Sequence, residues 1–113
     1  SGLTYECVPE EMACWAAGNI GYNRRSVQIE CAGYAADPAT WTDSLVESVG
    51  LLVGEICGRH DIPIDRAHII GHNEVVSPDG KHMGGAGAHR DPGPHIPWTR
   101  IIDIAKSSVQ TVA

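Results

Sequence analysis

The feature that most constrains this chain is the stretch 73–97, where Pro78, Gly80, Gly84, Gly85, Gly87, Pro92, Gly93, Pro94 and Pro97 recur too densely for a helix or a central strand to persist. It must be mostly loop. A loop of that length is uncommon in a domain unless it carries function or is disordered. What surrounds it must therefore supply the scaffold. Residues 3–8 read as a short strand stopped by Pro9. Residues 13–22, with Gly18, Asn19 and Gly21, read as a loop. Residues 26–31 alternate, Val27, Ile29 and Cys31 on one side and Ser26, Gln28 and Glu30 on the other, as a strand does. A helix follows. Thr40 and Asp43 resemble a capping box, and Trp41, Leu45, Val49, Leu52, Val53 and Ile56 form one apolar stripe. Gly50 and Gly54 weaken it by about 1 kcal/mol each relative to Ala. Gly58 is a plausible stop, and Pro63 bars continuation. Residues 67–71 are a short apolar run consistent with a buried strand that ends at His72. Trp98 to about Val109 reads as a last helix, with Trp98, Ile101, Ile102 and Ala105 on one side. The order strand, loop, strand, helix, strand, loop, helix predicts an α/β fold, a mixed central β-sheet flanked by helices.

Totals narrow the class. The chain's 113 residues fit one domain, and 42% hydrophobic content excludes a disordered chain. No apolar run approaches the roughly 20 residues a membrane span needs. A net charge of −6 with only 8 basic residues argues against nucleic acid as a partner. Cys7, Cys14, Cys31 and Cys57 are irregularly spaced without a Cys-x-x-Cys pair, so a zinc finger is not expected. Reduced, mostly buried thiols are.

Five of the six histidines fall between His68 and His95, interleaved with Glu74, Asp79 and Asp91. Imidazole and carboxylate are the ligands zinc takes, and a catalytic site uses three protein ligands with water in the fourth position. Composition alone cannot choose among these candidates. The alternative is a polar surface loop whose histidines bind nothing.

A resemblance does choose. The segment Ile69-Ile70-Gly71-His72-Asn73-Glu74-Val75, followed by His89-Arg90-Asp91-Pro92-Gly93-Pro94 and Trp98, resembles the C-terminal signature of the zinc-dependent N-acetylmuramoyl-L-alanine amidases, a family that includes phage lysozyme-type amidases and peptidoglycan recognition proteins. Upstream, Val8-Pro9-Glu10, Trp15-Ala16-Ala17-Gly18-Asn19, Tyr22-Asn23 and Ser26-Val27-Gln28-Ile29-Glu30 follow the family's order as well. The likeness runs over nearly the whole chain, so residues 1–113 form a single amidase-like domain. It implies a Zn2+ cofactor, bacterial peptidoglycan as partner and action at the cell wall in the manner of a phage endolysin. His72 and Asp91 match the second and third zinc ligands. Glu30 matches the carboxylate that faces the attacking water, and His89 matches the position of an oxyanion stabiliser or proton donor. Both are therefore catalytic candidates. Zinc lowers the pKa of water to about 7 and polarises a carbonyl. A neighbouring carboxylate can carry the proton to the leaving amine. Trp15, Asn19, Tyr22 and Asn23 are the substrate-binding candidates, since aromatic faces beside amides suit sugar and peptide.

Two departures stand out. The family's first zinc ligand is a His on a strand before the Val-Pro-Glu region, and residues 1–8 contain none. The expectation is a domain lacking its N-terminal strand region, with an upstream segment or a second chain supplying that His. His82 or His95 could also substitute. Ala16 replaces a His that lines the groove in many relatives. The loop 76–88 is long, and its Gly84-Gly85-Ala86-Gly87 run points to mobility. A peptidoglycan-binding module without catalysis is the alternative function. A histidine-based nuclease is a third, disfavoured by the acidic charge.

Overall fold

The computed structural model describes residues 4, 6, 7, 9, 10, 12 and 16–110. Among the described residues three helices, α1 (Ile20–Arg25), α2 (Asp43–His60) and α3 (Trp98–Gln110), are joined by long irregular segments and two single 3-10 turns, Pro38–Thr40 and His72–Glu74.

α2 starts where its orphan amides find an acceptor. The Thr42 hydroxyl accepts from the Leu45 N–H at 3.2 Å, and Asp43 sits in the first turn, favoured by the helix dipole. The cap is thus Thr42 rather than Thr40. The Thr40 hydroxyl instead accepts from the Tyr34 N–H at 2.9 Å and donates to the Tyr34 carbonyl at 2.8 Å. Gly58 does not end the helix. It continues to His60 and stops at Asp61, left-handed at φ 53, whose N–H caps the Cys57 carbonyl. Arg59 and His60 in the last turn face the negative end of the dipole. Both also bind the Glu10 carboxylate, at 3.2 and 2.8 Å from its Oε1.

The core is the α2–α3 seam. Val46, Val53, Cys57, Ile101 and Ala105 are buried together, with Trp41, Val49, Ile62, Ile64, Ile69, Ile96 and Ile104 packed around them. Val46 and Ile101 are fully enclosed, each stabilising by about 1.5–3 kcal/mol. The buried line along α2 includes Gly50 and Gly54, which the periodicity counts only as weak points. A Cβ on Gly50 would lie 2.6 Å from Ile104 Cγ2, and one on Gly54 would lie 2.9 Å from the Ala105 carbonyl. These glycines let the two helices touch.

The expected mixed central β-sheet is not there. Among the described residues there is no strand, and the one β pairing is an isolated antiparallel bridge between Val76 and Met83. Of the expected strand 3–8, residues 3, 5 and 8 lie outside the described residues, and residues 4, 6 and 7 form no strand. Residues 26–31 form no ladder, since alternation selects a face but supplies no partner, and Ile29 is 38% exposed. Residues 67–71 are bent because the Asp65 carboxylate accepts from the Ala67 and His68 N–H groups, both at 3.0 Å. The Asp65 carbonyl also accepts from Ile69 N–H at 2.9 Å. Among the described residues the α2–α3 pair therefore carries α1 and long, hydrogen-bonded loops. Among the described residues no helix is long and apolar enough to cross a membrane. Cys7 is exposed, Cys31 half-buried and Cys57 buried, all with free thiols.

Candidate metal centre

His72 opens a 3-10 turn instead of ending a strand. Glu74 fixes that turn by accepting from the Gly71 N–H at 2.9 Å and from Arg66 Nη2 at 2.8 Å. Burial pushes the Glu74 carboxyl up, but the Gly71 N–H and the Arg66 guanidinium outweigh it and hold the group below its ordinary range. The same guanidinium donates to the Ile69 carbonyl at 2.6 Å and lies 3.7 Å over the Trp98 ring. The Asp91 carbonyl accepts from Asn73 N–H at 2.9 Å. That contact needs Gly71, where a Cβ would come within 2.7 Å of Pro92 Cδ.

Two loop segments are thereby held face to face, and three side chains meet. His72 Nδ1 lies 3.3 Å from Asp91 Oδ2. The His89 ring stacks on His72 with centroids 4.3 Å apart and planes 19° from parallel. His89 Nδ1 is 3.9 Å from Asp91 Oδ1. One ligand atom from each of His72, His89 and Asp91 falls within 4.8 Å of the others. The His72 side chain is 18% exposed, whereas His89 and Asp91 are half open to solvent. The cluster is therefore reachable from solvent.

The donor set fits zinc. His72 Nε2 is 3.0 Å from the Ala17 carbonyl. A carbonyl only accepts, so Nε2 carries a proton, and Nδ1 is the ring nitrogen turned toward Asp91. Nδ1 faces a carboxylate oxygen at 3.3 Å, a pair that can share a proton or hold a cation. Tetrahedral zinc with bonds of about 2.0–2.1 Å to nitrogen and oxygen sets neighbouring ligands about 3.3 Å apart.

The other candidates are distributed as follows. Glu30 is exposed in the segment after α1 and is not among the groups gathered within 4.8 Å. Trp15 lies outside the described residues. Asn19 caps α1, its Oδ1 accepting from Gly21 N–H at 3.0 Å and its Nδ2 donating to the Val76 carbonyl at 2.9 Å. Residues 20–22 are thus helix where loop is expected, the helix running on to Arg25, and Asn19 is the sequence signal for that start. Tyr22 is half-buried with the Arg25 guanidinium 4.3 Å over its ring. Asn23 is 6% exposed, and its Oδ1 accepts from Ala17 N–H and Gln28 Nε2. His82 hydrogen-bonds the Gly85 carbonyl, and neither it nor His95 joins the three.

The glycine-rich run is a packed support. Gly84 and Gly85 donate to the Val75 carbonyl, Ala86 to Gly18 and His89 to Gly84. Gly84 has φ 95 and a Cβ there would lie 2.4 Å from His89 N, so glycine sets the approach of His89. The Ala17 carbonyl under His72 is the contact sequence reasoning misses, because a main-chain oxygen leaves no signature in residue type.

A family model described as N-acetylmuramoyl-L-alanine amidase matches residues 1–94, a range that holds Glu30, His72, His89 and Asp91. N-acetylmuramoyl-L-alanine amidase A of Achromobacter lyticus is 26% identical over 112 residues, covering 91% of this chain. The chain spans 62% of the length of that relative. No solved structure matches the chain.

Proposed function

Because the chain belongs to the N-acetylmuramoyl-L-alanine amidase family, we propose that it hydrolyses the amide between N-acetylmuramic acid and L-alanine in bacterial peptidoglycan, with zinc held by His72 and Asp91. The observation that carries this is His72 Nδ1 set 3.3 Å from the Asp91 carboxylate, beside the stacked His89. The setting we favour is the cell wall, in lysis of the endolysin kind.

Zinc, when bound, supplies an activated water and a Lewis acid for the scissile carbonyl. His72 and Asp91 are two of the three protein donors a catalytic zinc takes. Glu30 accepts the proton of the attacking water and returns it to the departing alanine nitrogen. The carbon–oxygen bond forms first, and the carbon–nitrogen bond breaks once the nitrogen is protonated, leaving the muramoyl carboxylate and a free alanine amine. His89 donates an N–H to the oxyanion that develops on the carbonyl, a contribution of about 3 kcal/mol. Tyr22 and Trp15 offer aromatic faces to the glycan or the stem peptide.

The test is release of new N-terminal alanine amines from purified peptidoglycan. Chelation followed by dialysis should abolish release, and zinc should restore it. His72→Ala and Asp91→Ala should lose both zinc and activity, whereas Glu30→Gln should keep zinc and lose hydrolysis. Continued amine release by the metal-stripped protein rules the mechanism out. The non-catalytic binding reading draws on Glu30 standing outside the gathered cluster. It wins if zinc-loaded protein sediments with peptidoglycan and releases no amine.

A further inference from the structure

We propose that Asn23 is a positioning residue for the metal-binding imidazole, acting through the main chain of Ala17. The inference rests on the reading of His72 as a zinc ligand. The Asn23 side chain is buried on α1, and its Oδ1 accepts from the Ala17 N–H at 2.9 Å. Gln28 Nε2 donates to the same oxygen at 3.1 Å, which leaves Oδ1 no freedom to turn away. The Ala17 carbonyl in turn accepts from His72 Nε2–H at 3.0 Å. Four residues form one line: Gln28 orients Asn23, Asn23 holds the Ala17 N–H, Ala17 holds the outer nitrogen of His72, and His72 aims Nδ1 at Asp91.

The surroundings prevent Ala17 from drifting. Ala17 is 8% exposed. Ala86 N–H binds the Gly18 carbonyl at 2.9 Å. Gly85 lies so close beneath that a Cβ there would come 2.3 Å from the Ala17 carbonyl oxygen. α1 itself is fixed by Asn19, whose amide reaches the Val76 carbonyl two residues beyond the His72–Glu74 turn. A backbone carbonyl on the far nitrogen of a metal-ligating histidine sets both tautomer and ring direction. Disturbing such an outer contact typically weakens metal affinity about 10–100-fold.

The experiment uses the full chain, metal-free and zinc-loaded. Long-range proton–nitrogen NMR on the metal-free wild type should find the His72 proton on Nε2. Asn23→Ala should give a mixture of tautomers at His72 and, by chelator competition, zinc affinity lower by about 10–100-fold. Asn23→Asp, which keeps an acceptor at the same reach, should restore most of both. A wild-type proton on Nδ1 overturns the proposal, and this measurement stands even if Asn23→Ala fails to fold. A folded Asn23→Ala with unchanged tautomer and zinc affinity overturns it too. If the wild type binds no zinc but Asn23→Ala still scrambles the tautomer, the amidase reading fails and the relay to His72 stands.

Discussion

The close approach of α2 and α3 makes opposite predictions for two glycines on one helix. Replacing a helical glycine by alanine favours the helix by about 1 kcal/mol through propensity alone. At Gly58 nothing lies within 4 Å of the added Cβ, so Gly58→Ala should stabilise by about 0.5–1 kcal/mol. At Gly50 the added carbon would lie 2.6 Å from Ile104 Cγ2, 2.7 Å from Ile104 Cβ and 3.3 Å from the Ile101 carbonyl. Ile104 Cβ is fixed to its backbone and cannot swing aside. Reaching ordinary carbon contact near 3.5 Å requires the helices to part by about 1 Å, which forfeits roughly a quarter to a half of the dispersion energy across the seam. That seam contains Val46, Val53, Ile101 and Ala105. Overpacking of this kind costs about 1–3 kcal/mol, and two carbon contacts under 3.0 Å put Gly50→Ala at about 2–3, so the net loss should be about 1–2 kcal/mol after the propensity gain. For a domain of this size 1 kcal/mol is about 4 °C in melting temperature. Thermal unfolding followed by far-UV circular dichroism should therefore move down by about 4–8 °C for Gly50→Ala and up by about 2–4 °C for Gly58→Ala. A Gly50→Ala protein that melts at or above wild type would falsify the idea that glycine is there for contact.

The Glu74 carboxyl is held below its ordinary range, so the fold favours its ionised form. The stability this adds is present above the unfolded value, about 4.3, and is lost as pH falls through the lower folded value. Because Glu74 is 39% exposed, Glu74→Gln should cost only about 1 kcal/mol near pH 7, and denaturation across pH should show the gap closing below about pH 4. His89→Ala should lower turnover about 10²–10³-fold with zinc content unchanged. Metal analysis of that variant is decisive, because loss of zinc would make His89 a ligand, as its place in the cluster allows. Thr42→Ala removes the α2 cap and should cost about 1 kcal/mol by urea titration.

The helices α2 and α3 are legible because their information is local: an apolar stripe, a capping hydroxyl and a proline beyond the end. Their edges are less so. Thr40 and Thr42 are equally good caps as letters, and only the turn that gives the Thr40 hydroxyl to Tyr34 separates them. The sheet fails for a non-local reason. Alternation at 26–31 and an apolar run at 67–71 describe surfaces a strand could offer, yet a strand exists only against a partner, and Asp65 bends the second run by capturing its amides. The candidate site is legible as residue types. The resemblance picks His72, His89 and Asp91 out of a histidine-rich loop. What brings them together is carried by Gly71 and Gly84, where a side chain would block the contact. Those glycines look like flexibility in a sequence and act as clearance in the structure.

Arg66 extends the same lesson to charge. Its flat guanidinium covers Trp98, reaches the Ile69 carbonyl and grips Glu74. A single rigid plane thereby splices the first residue of the last helix to the turn that presents His72. A lysine keeps the charge but has neither the fork nor the flat face, so an exchange usually scored as mild would unfasten the histidine turn from its scaffold while leaving the helical pair folded. In this molecule the placing of the His72 turn is tied to the last helix through one cationic side chain.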